Sequence, residues 1–378
     1  MPSAVVVGAG VFGAALARQL AREHWEVTLV EQETPGWDGS ASGGESRLLR
    51  FSHGGEAWYT RSARRSRELW RAMDPGVLVD CGVAWFAYRD DGWEADSERL
   101  LRSEGIAVER LEPGEAARLF PSLAVDDLAW VLFEPEAGVL RADRAVKVLV
   151  SDALGAGARL VRGRATPAGD AVEVGASLLE GDRVVWAGGP WLSKLFPDLA
   201  VVRATRQEVV FVDTGTGWSS PPVPGWVDYD GSFYGHGDLG GLGVKVACDA
   251  EGPAIEPGDT DATFASERLV RDYLARRFPA LSAAGIHHVR ACPYELTVDT
   301  HFIAAPHPEH PAVWLLGGGS GHGFKHAPAL AERMSAWLRE AEPPEPRFAL
   351  GARESSRSLR TAGARATPIG RQLPAAGS

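Results

Sequence analysis

The chain has 378 residues, is 45% apolar, carries a formal net charge of −11, and contains three cysteines, Cys81, Cys248 and Cys292, with no CxxC pair. That length supports a large core and two or three domains. The acidic balance excludes nucleic acid and anionic membrane as main partners, since both demand a basic face, and the scattered cysteines indicate neither a disulfide framework nor a structural zinc site.

Met1 to Gly8 has no basic leader region, and no later run reaches the roughly 18 apolar residues of a membrane span. A cytoplasmic protein acting on a small molecule is the expectation. Ala4–Val7 reads as a short strand and Gly8-x-Gly10-x-x-Gly13 as a turn opening a helix. Phe12, Leu16 and Leu20 recur along that helix, and Val27–Val30 is the next strand. In this βαβ setting the backbone of Gly8, Gly10, Val11, Phe12 and Gly13 can receive a pyrophosphate, and Glu31 can accept ribose hydroxyls. The motif alone does not separate FAD from NAD.

Gly43-Gly44-Glu45-Ser46-Arg47-Leu48-Leu49-Arg50 follows, a polar turn with two arginines where an NAD enzyme's third strand is expected. By itself it also fits a solvated helix start. Residues 56–73 read as a helix with a buried stripe of Trp58, Leu69 and Trp70, and Ala142 to Leu154 as another. Val184-Val185-Trp186 is a buried strand running into Gly188-Gly189-Pro190, an echo of the N-terminus. Residues 201–249 are β-rich, with strands at Val209–Val212 and Gly243–Ala247, and 264–278 return to helical spacing. A last strand, Ala312 to Leu316, leads into Gly319-Ser320-Gly321-His322-Gly323-Phe324-Lys325 and a helix from Pro328 to Arg339.

Nucleotide-type segments at the start, middle and end imply an α/β fold. A Rossmann-like dinucleotide domain of residues 1–80, 138–200 and 290–342 interleaves with an α+β substrate domain of 81–137 and 201–289, built on a mixed or antiparallel sheet. Residues 343–378, opening on Pro343-Pro344 and rich in Arg, Ser, Ala and Gly, read as a disordered tail.

Two residues stand out chemically. Lys245 sits inside an apolar strand, which is costly unless the ammonium is paired, functional or snorkels from an edge. Cys292, in Cys292-Pro293-Tyr294, fits either a small buried hydrophobe or a reactive thiol. Taken together, Gly8-x-Gly10-x-x-Gly13, Ser46-Arg47-Leu48-Leu49-Arg50, Cys292-x-Tyr294 and Gly321-His322-Gly323-Phe324-Lys325 resemble the monomeric sarcosine oxidase and N-methyltryptophan oxidase family of FAD amine oxidases, from the first residues to about Arg339.

The resemblance implies FAD attached through a thioether to Cys292 and further held by Gly44, Ser46, Arg47, Gly188, Gly319, Gly321, Gly323, Phe324 and Lys325. It implies that Lys245 activates O2, that Arg50 and Lys325 clamp a substrate carboxylate, and that Arg47, Tyr234, Tyr294 and His322 complete the site. The implied reaction is oxidation of a carboxylate-bearing secondary amine, an N-methyl amino acid or cyclic imino acid, to an imine and hydrogen peroxide by a monomer that needs no metal. A biosynthetic tailoring oxidase or dehydrogenase is the alternative. Ser42, Gly43 and Asp249 stand where the best-known members carry histidines, so a different pocket is expected.

Overall fold

Val5 and Val6 are buried on both faces of their strand, as the middle of a parallel sheet requires. The computed structural model describes residues 1–200, 202–215, 217–356 and 358–362. In it Ser3–Val7 lies fourth in a six-stranded sheet ordered Ile303–Pro306, Val313–Gly317, Arg183–Trp186, Ser3–Val7, Glu26–Glu31, Arg159–Arg162. All neighbours are parallel except the pair at the Ile303–Pro306 edge.

The helix Val11–Arg22 covers this sheet and packs against the helices Ala142–Gly155 and Ala327–Leu338. Leu16, Leu20, Leu149 and Met334 are fully buried there, and each such side chain contributes about 1.5–3 kcal/mol by leaving water.

A second, eight-stranded sheet is ordered Ile286–Leu296, Arg203–Val212, Val244–Cys248, Phe233–His236, Gly225–Asp228, Val83–Ala87, Trp130–Glu134, Glu109–Leu111. It is antiparallel except between Gly225–Asp228 and Val83–Ala87. The mixed α/β class expected from the sequence is therefore the one observed. We propose that the two interleaved domains follow these two sheets. The boundary at 289/290 then moves to the end of the strand Ile286–Leu296, which pairs continuously with Arg203–Val212 apart from one bulge.

Two local expectations differ. Ser46–Leu49 is a strand rather than a polar turn, pairing antiparallel with Gly138–Arg141; Leu49 is buried there, and the pairing satisfies backbone that a turn would leave to water. Within residues 343–356 and 358–362, expected to be disordered, several side chains pack into the core. Phe348 is fully buried, edge-on to Trp58 at 4.8 Å, and Leu359, Arg360 and Thr361 are buried as well. A few anchoring side chains outweigh a polar average composition. Residues 363–378 lie outside the described residues.

Candidate active site

Three glycine turns meet at the ends of the central strands of the parallel sheet. Gly8 has φ +101, and a Cβ there would lie 2.4 Å from the Ala187 carbonyl oxygen. At Gly13 a Cβ would come within 1.9 Å of the Gly8 carbonyl oxygen, so only glycine lets the helix start this close to the strand. The Val11 N–H donates to Ser42 Oγ at 2.9 Å. Glu31, ending its strand as expected, accepts from the N–H groups of Ala9 at 2.7 Å and Glu33 at 2.9 Å, while burial pushes its pKa up.

Between the turns runs a cleft of about 390 Å³. Its walls include Gly8, Gly10, Val11, Phe12, Glu31, Arg47, Gly188, Gly319, Gly321, Gly323 and Phe324, which brings residues from all three nucleotide-type segments into one place. Glu295, which the sequence did not single out, also faces it. Its Oε1 accepts from the Gly319 N–H at 3.0 Å, its Oε2 has no partner, and burial pushes its pKa up to about 7. The cleft suits a dinucleotide cofactor: exposed backbone at glycine turns, acceptors at one end, and an unpartnered buried carboxyl able to carry a proton near neutral pH.

The second half of the site is one face of the antiparallel sheet. Register decides it: Tyr234 lies opposite Ala247, His236 and Phe211 opposite Lys245, and Val209 opposite both Ala247 and Arg290. Alternation then places Lys245, Tyr234, His236, Arg290, Cys292 and Tyr294 on the same side. Val209, Phe211, Ala247, Cys292 and Tyr294 form one buried cluster, with Tyr234 packed on it.

Lys245 Nζ donates to the Ser46 carbonyl at 3.0 Å and to Ser46 Oγ at 3.2 Å. His236 Nδ1 meets the Gly237 carbonyl at 2.7 Å and must donate to it, so its Nε2 accepts from the Ser46 hydroxyl at 2.7 Å. That leaves the hydroxyl oxygen free to accept from Lys245. Burial, reinforced by the charge of Arg47, pushes the lysine down to about 7.

Arg47 joins the two halves. Its guanidinium donates to the carbonyls of Ala41, Gly43 and Ser46, lies 3.9 Å from Cys292 Sγ, and sits 5.4 Å from the Phe324 ring centroid. Arg290 flanks the same thiol and was missed in the sequence, although its place two residues before Cys292 in a strand put it on the same face. Its side chain fills the space beside Gly44, where a Cβ would lie 1.9 Å from Nη2.

Arg50 and Lys325 are both buried. Burial lowers Arg50 to about 10, with the carboxylates of Glu134 and Asp249 opposing the shift. Burial and the charge of Arg50 push Lys325 well below its ordinary value. Lys325 Nζ donates to the His322 carbonyl at 2.8 Å, and Arg50 Nη2 to the Leu359 carbonyl at 3.0 Å. Tyr294, on the Lys245 face, is within electrostatic reach of Arg50, its hydroxyl 3.2 Å from the Tyr234 hydroxyl and donating to Asp249 Oδ1 at 3.2 Å. Burial raises the pKa of Asp249.

His322 belongs to a neighbouring cluster. Its Nε2 donates to the Thr300 carbonyl at 2.8 Å, and its Nδ1 has no partner. The ring nitrogens of His53, His322 and His326 lie within 4.8 Å of one another, a grouping able to hold a metal ion among the described residues. Burial first, and the charges of Lys325 and Arg50 after it, keep all three rings uncharged, and those charges equally repel a metal cation. No helix among the described residues is long and apolar enough to cross a membrane.

The family described as FAD dependent oxidoreductase matches residues 3–337. The chain is 27% identical over 353 residues to a monomeric sarcosine oxidase of Bacillus sp. (strain B-0618), covering 88% of this chain and 90% of that protein. It is 25% identical to an N-methyl-L-tryptophan oxidase of Salmonella arizonae, covering 90% of this chain and 95% of that protein. Among solved structures, L-proline dehydrogenase from P. horikoshii shares the fold, with a TM-score of 0.78 at 21% identity over 91% of this chain and 95% of that one.

Proposed function

Since the chain belongs to the family of FAD-dependent oxidoreductases, we propose that it oxidises a carboxylate-bearing secondary amine, an N-methyl amino acid or cyclic imino acid, with O2 as acceptor. One observation carries the reading: Arg50 and Lys325, both buried, lie within electrostatic reach of each other and of Asp249, and Arg50 within reach of Tyr294, whose strand also carries Cys292 and whose sheet face carries Lys245. A carboxylate held by Arg50 and Lys325 sets the adjoining amine against the Tyr234–Tyr294 pair.

FAD, when bound, supplies the two-electron acceptor. Glu31, the glycine turns and Glu295 would hold it from the cleft, and Cys292 is the thiol that would carry it covalently. Arg50 grips the substrate carboxylate through its fork of donors while Lys325 adds a point charge. Lys325 is held below its ordinary pKa by burial and by Arg50, and an arriving anion supplies an opposite charge that favours its charged form. Lys245, fixed by Ser46 in a site that excludes water, presents a preorganised cation to the charge that develops as O2 is reduced to hydrogen peroxide.

The test is direct. Purified protein is precipitated with acid, and the yellow colour is followed in wild type and Cys292→Ala. Colour that stays with wild type and washes out of the variant supports attachment; colour that washes out of both refutes it. Peroxide release is then assayed on N-methyl, cyclic and primary amino acids. Flavin reduction by a secondary amine without peroxide would replace the oxidase with a dehydrogenase.

A further inference from the structure

Residues 346–356 and 358–362 connect the turn around Thr300 to the turn at Tyr229. Phe348 anchors the segment against Trp58 and Phe302. Arg353 donates to the carbonyls of His301 and Phe302, and the Leu359 N–H donates to Thr300 Oγ1 at 3.1 Å. On the far side Tyr229 donates its hydroxyl to the Ser358 carbonyl at 2.7 Å, and the Ala362 N–H donates to the Tyr229 carbonyl at 3.0 Å.

Between these anchors, two consecutive residues enter the site. The Leu359 carbonyl oxygen accepts from the clamp arginine, Arg50. Arg360, 3% exposed, turns its guanidinium onto Asp249: Nη1 pairs with Oδ1 at 2.9 Å and also donates to the Asp249 backbone carbonyl. The guanidinium lies 5.3 Å from the Tyr294 ring centroid, and Gly321 leaves room for its stem, since a Cβ there would lie 3.0 Å from Arg360 Cδ. Arg360 Nε has no partner.

Leu359-Arg360 thus offers an oxygen to the anion clamp and a guanidinium to a carboxylate, a carbonyl and an aromatic face. A free basic amino acid would present the same two groups. We propose that the place Leu359-Arg360 occupies also takes a free amino acid with a guanidinium side chain, its carboxylate on Arg50 and its guanidinium on Asp249 and Tyr294, and that Leu359-Arg360 is a tethered competitor for it. The inference rests on the assignment of Arg50 to the substrate carboxylate. It also accounts for Asp249, because a guanidinium satisfies its buried carboxyl in charge and hydrogen bonds while lying over the Tyr294 ring.

L-Arginine and L-citrulline, nearly isosteric but differing in charge, serve as probes on the flavin-loaded protein. Binding is read from the flavin absorbance change and from the shift in Tm, neither of which requires turnover. Arg360→Gln is expected to bind arginine at least tenfold tighter than wild type and at least tenfold tighter than it binds citrulline, and Asp249→Asn in that background is expected to erase the preference. Equal binding of arginine and citrulline by Arg360→Gln overturns the guanidinium subsite; discrimination with no gain over wild type overturns the competition.

If Arg360→Gln folds poorly, Arg360→Met, which keeps the stem and removes the charge, is held to the same outcomes. Nα-methyl-L-arginine and Nα-methyl-L-citrulline then separate this inference from the reaction it rests on. Selective binding of arginine with no flavin reduction by any amine defeats amine oxidation and leaves the subsite standing. Reduction by both compounds at equal efficiency in Arg360→Gln does the reverse.

Discussion

The nucleotide cleft and the reaction face are built from different materials. The cleft depends on close backbone approach: Gly8, Gly13 and Gly321 are spaces where a side chain would collide with Ala187, with Gly8 and with Tyr294. The reaction face is made of side chains, and its working groups are buried cations and carboxylates that hold one another in place. A site made of absent side chains tolerates no additions, whereas a site made of charges tolerates substitution structurally and loses only chemistry.

The sharpest break of that contrast is Gly13→Ala. The added Cβ would sit 1.9 Å from the Gly8 carbonyl oxygen, a backbone atom that cannot rotate away, so the helix and strand must separate at a cost of about 3 kcal/mol. Flavin content, read from the ratio of flavin to protein absorbance, is expected to fall about tenfold, since ~1.4 kcal/mol is already a factor of ten in binding. Full flavin content with a Tm shift under about 2 °C would show that the glycine turn has slack.

Lys245→Met should spare the fold and remove a step. Methionine fills similar space in the apolar strand, so reduction of the flavin by substrate is expected to stay within a few-fold, while reoxidation by O2 slows by about 10²–10³. The pH dependence follows from the same group. Its folded pKa, about 7, lies below the ordinary 10.5, so the ammonium is present below pH 7 and is lost as pH rises through it. Reoxidation of wild type should slow above pH 7, and the Met variant should show no such step. Equal reoxidation rates in stopped flow would remove Lys245 from oxygen chemistry.

The same contrast explains what could be read from the sequence. Gly8-x-Gly10-x-x-Gly13 and Glu31 are local, with the motif, the strand and the helix together in one short stretch, and the structure places them as the spacing implied. Lys245, Cys292, Tyr234 and Tyr294 share a face only because four strands pair in a particular register, and residues alone do not state register. They were reached through family resemblance. Arg290 followed from alternation once Cys292 was placed in a strand, but the Cys-Pro-Tyr element did not announce a strand. Arg360 was illegible for another reason: the tail's composition averages to disorder, and a single Phe348 in an aromatic socket overrides the average. Ser46–Leu49 failed similarly, because its partner strand lies about ninety residues on.

The smallest expected effect tests whether the backbone-built end depends on charge at all. Glu31 is the carboxylate of that end, and its two oxygens accept from the Ala9 and Glu33 N–H groups. Glu31→Gln keeps one acceptor oxygen and sets an amide N–H against the other donor, a loss of about 0.5–1.5 kcal/mol for one hydrogen bond. Against that loss, burial already disfavours the charge, as the raised pKa of Glu31 shows, so removing it returns part of the desolvation cost. Tm is therefore expected to move by only about 1–3 °C, with the flavin retained. A loss as large as that of Gly13→Ala would mean that a single carboxylate, rather than the glycine turn, organises this end, and the two halves of the site would then work by the same principle.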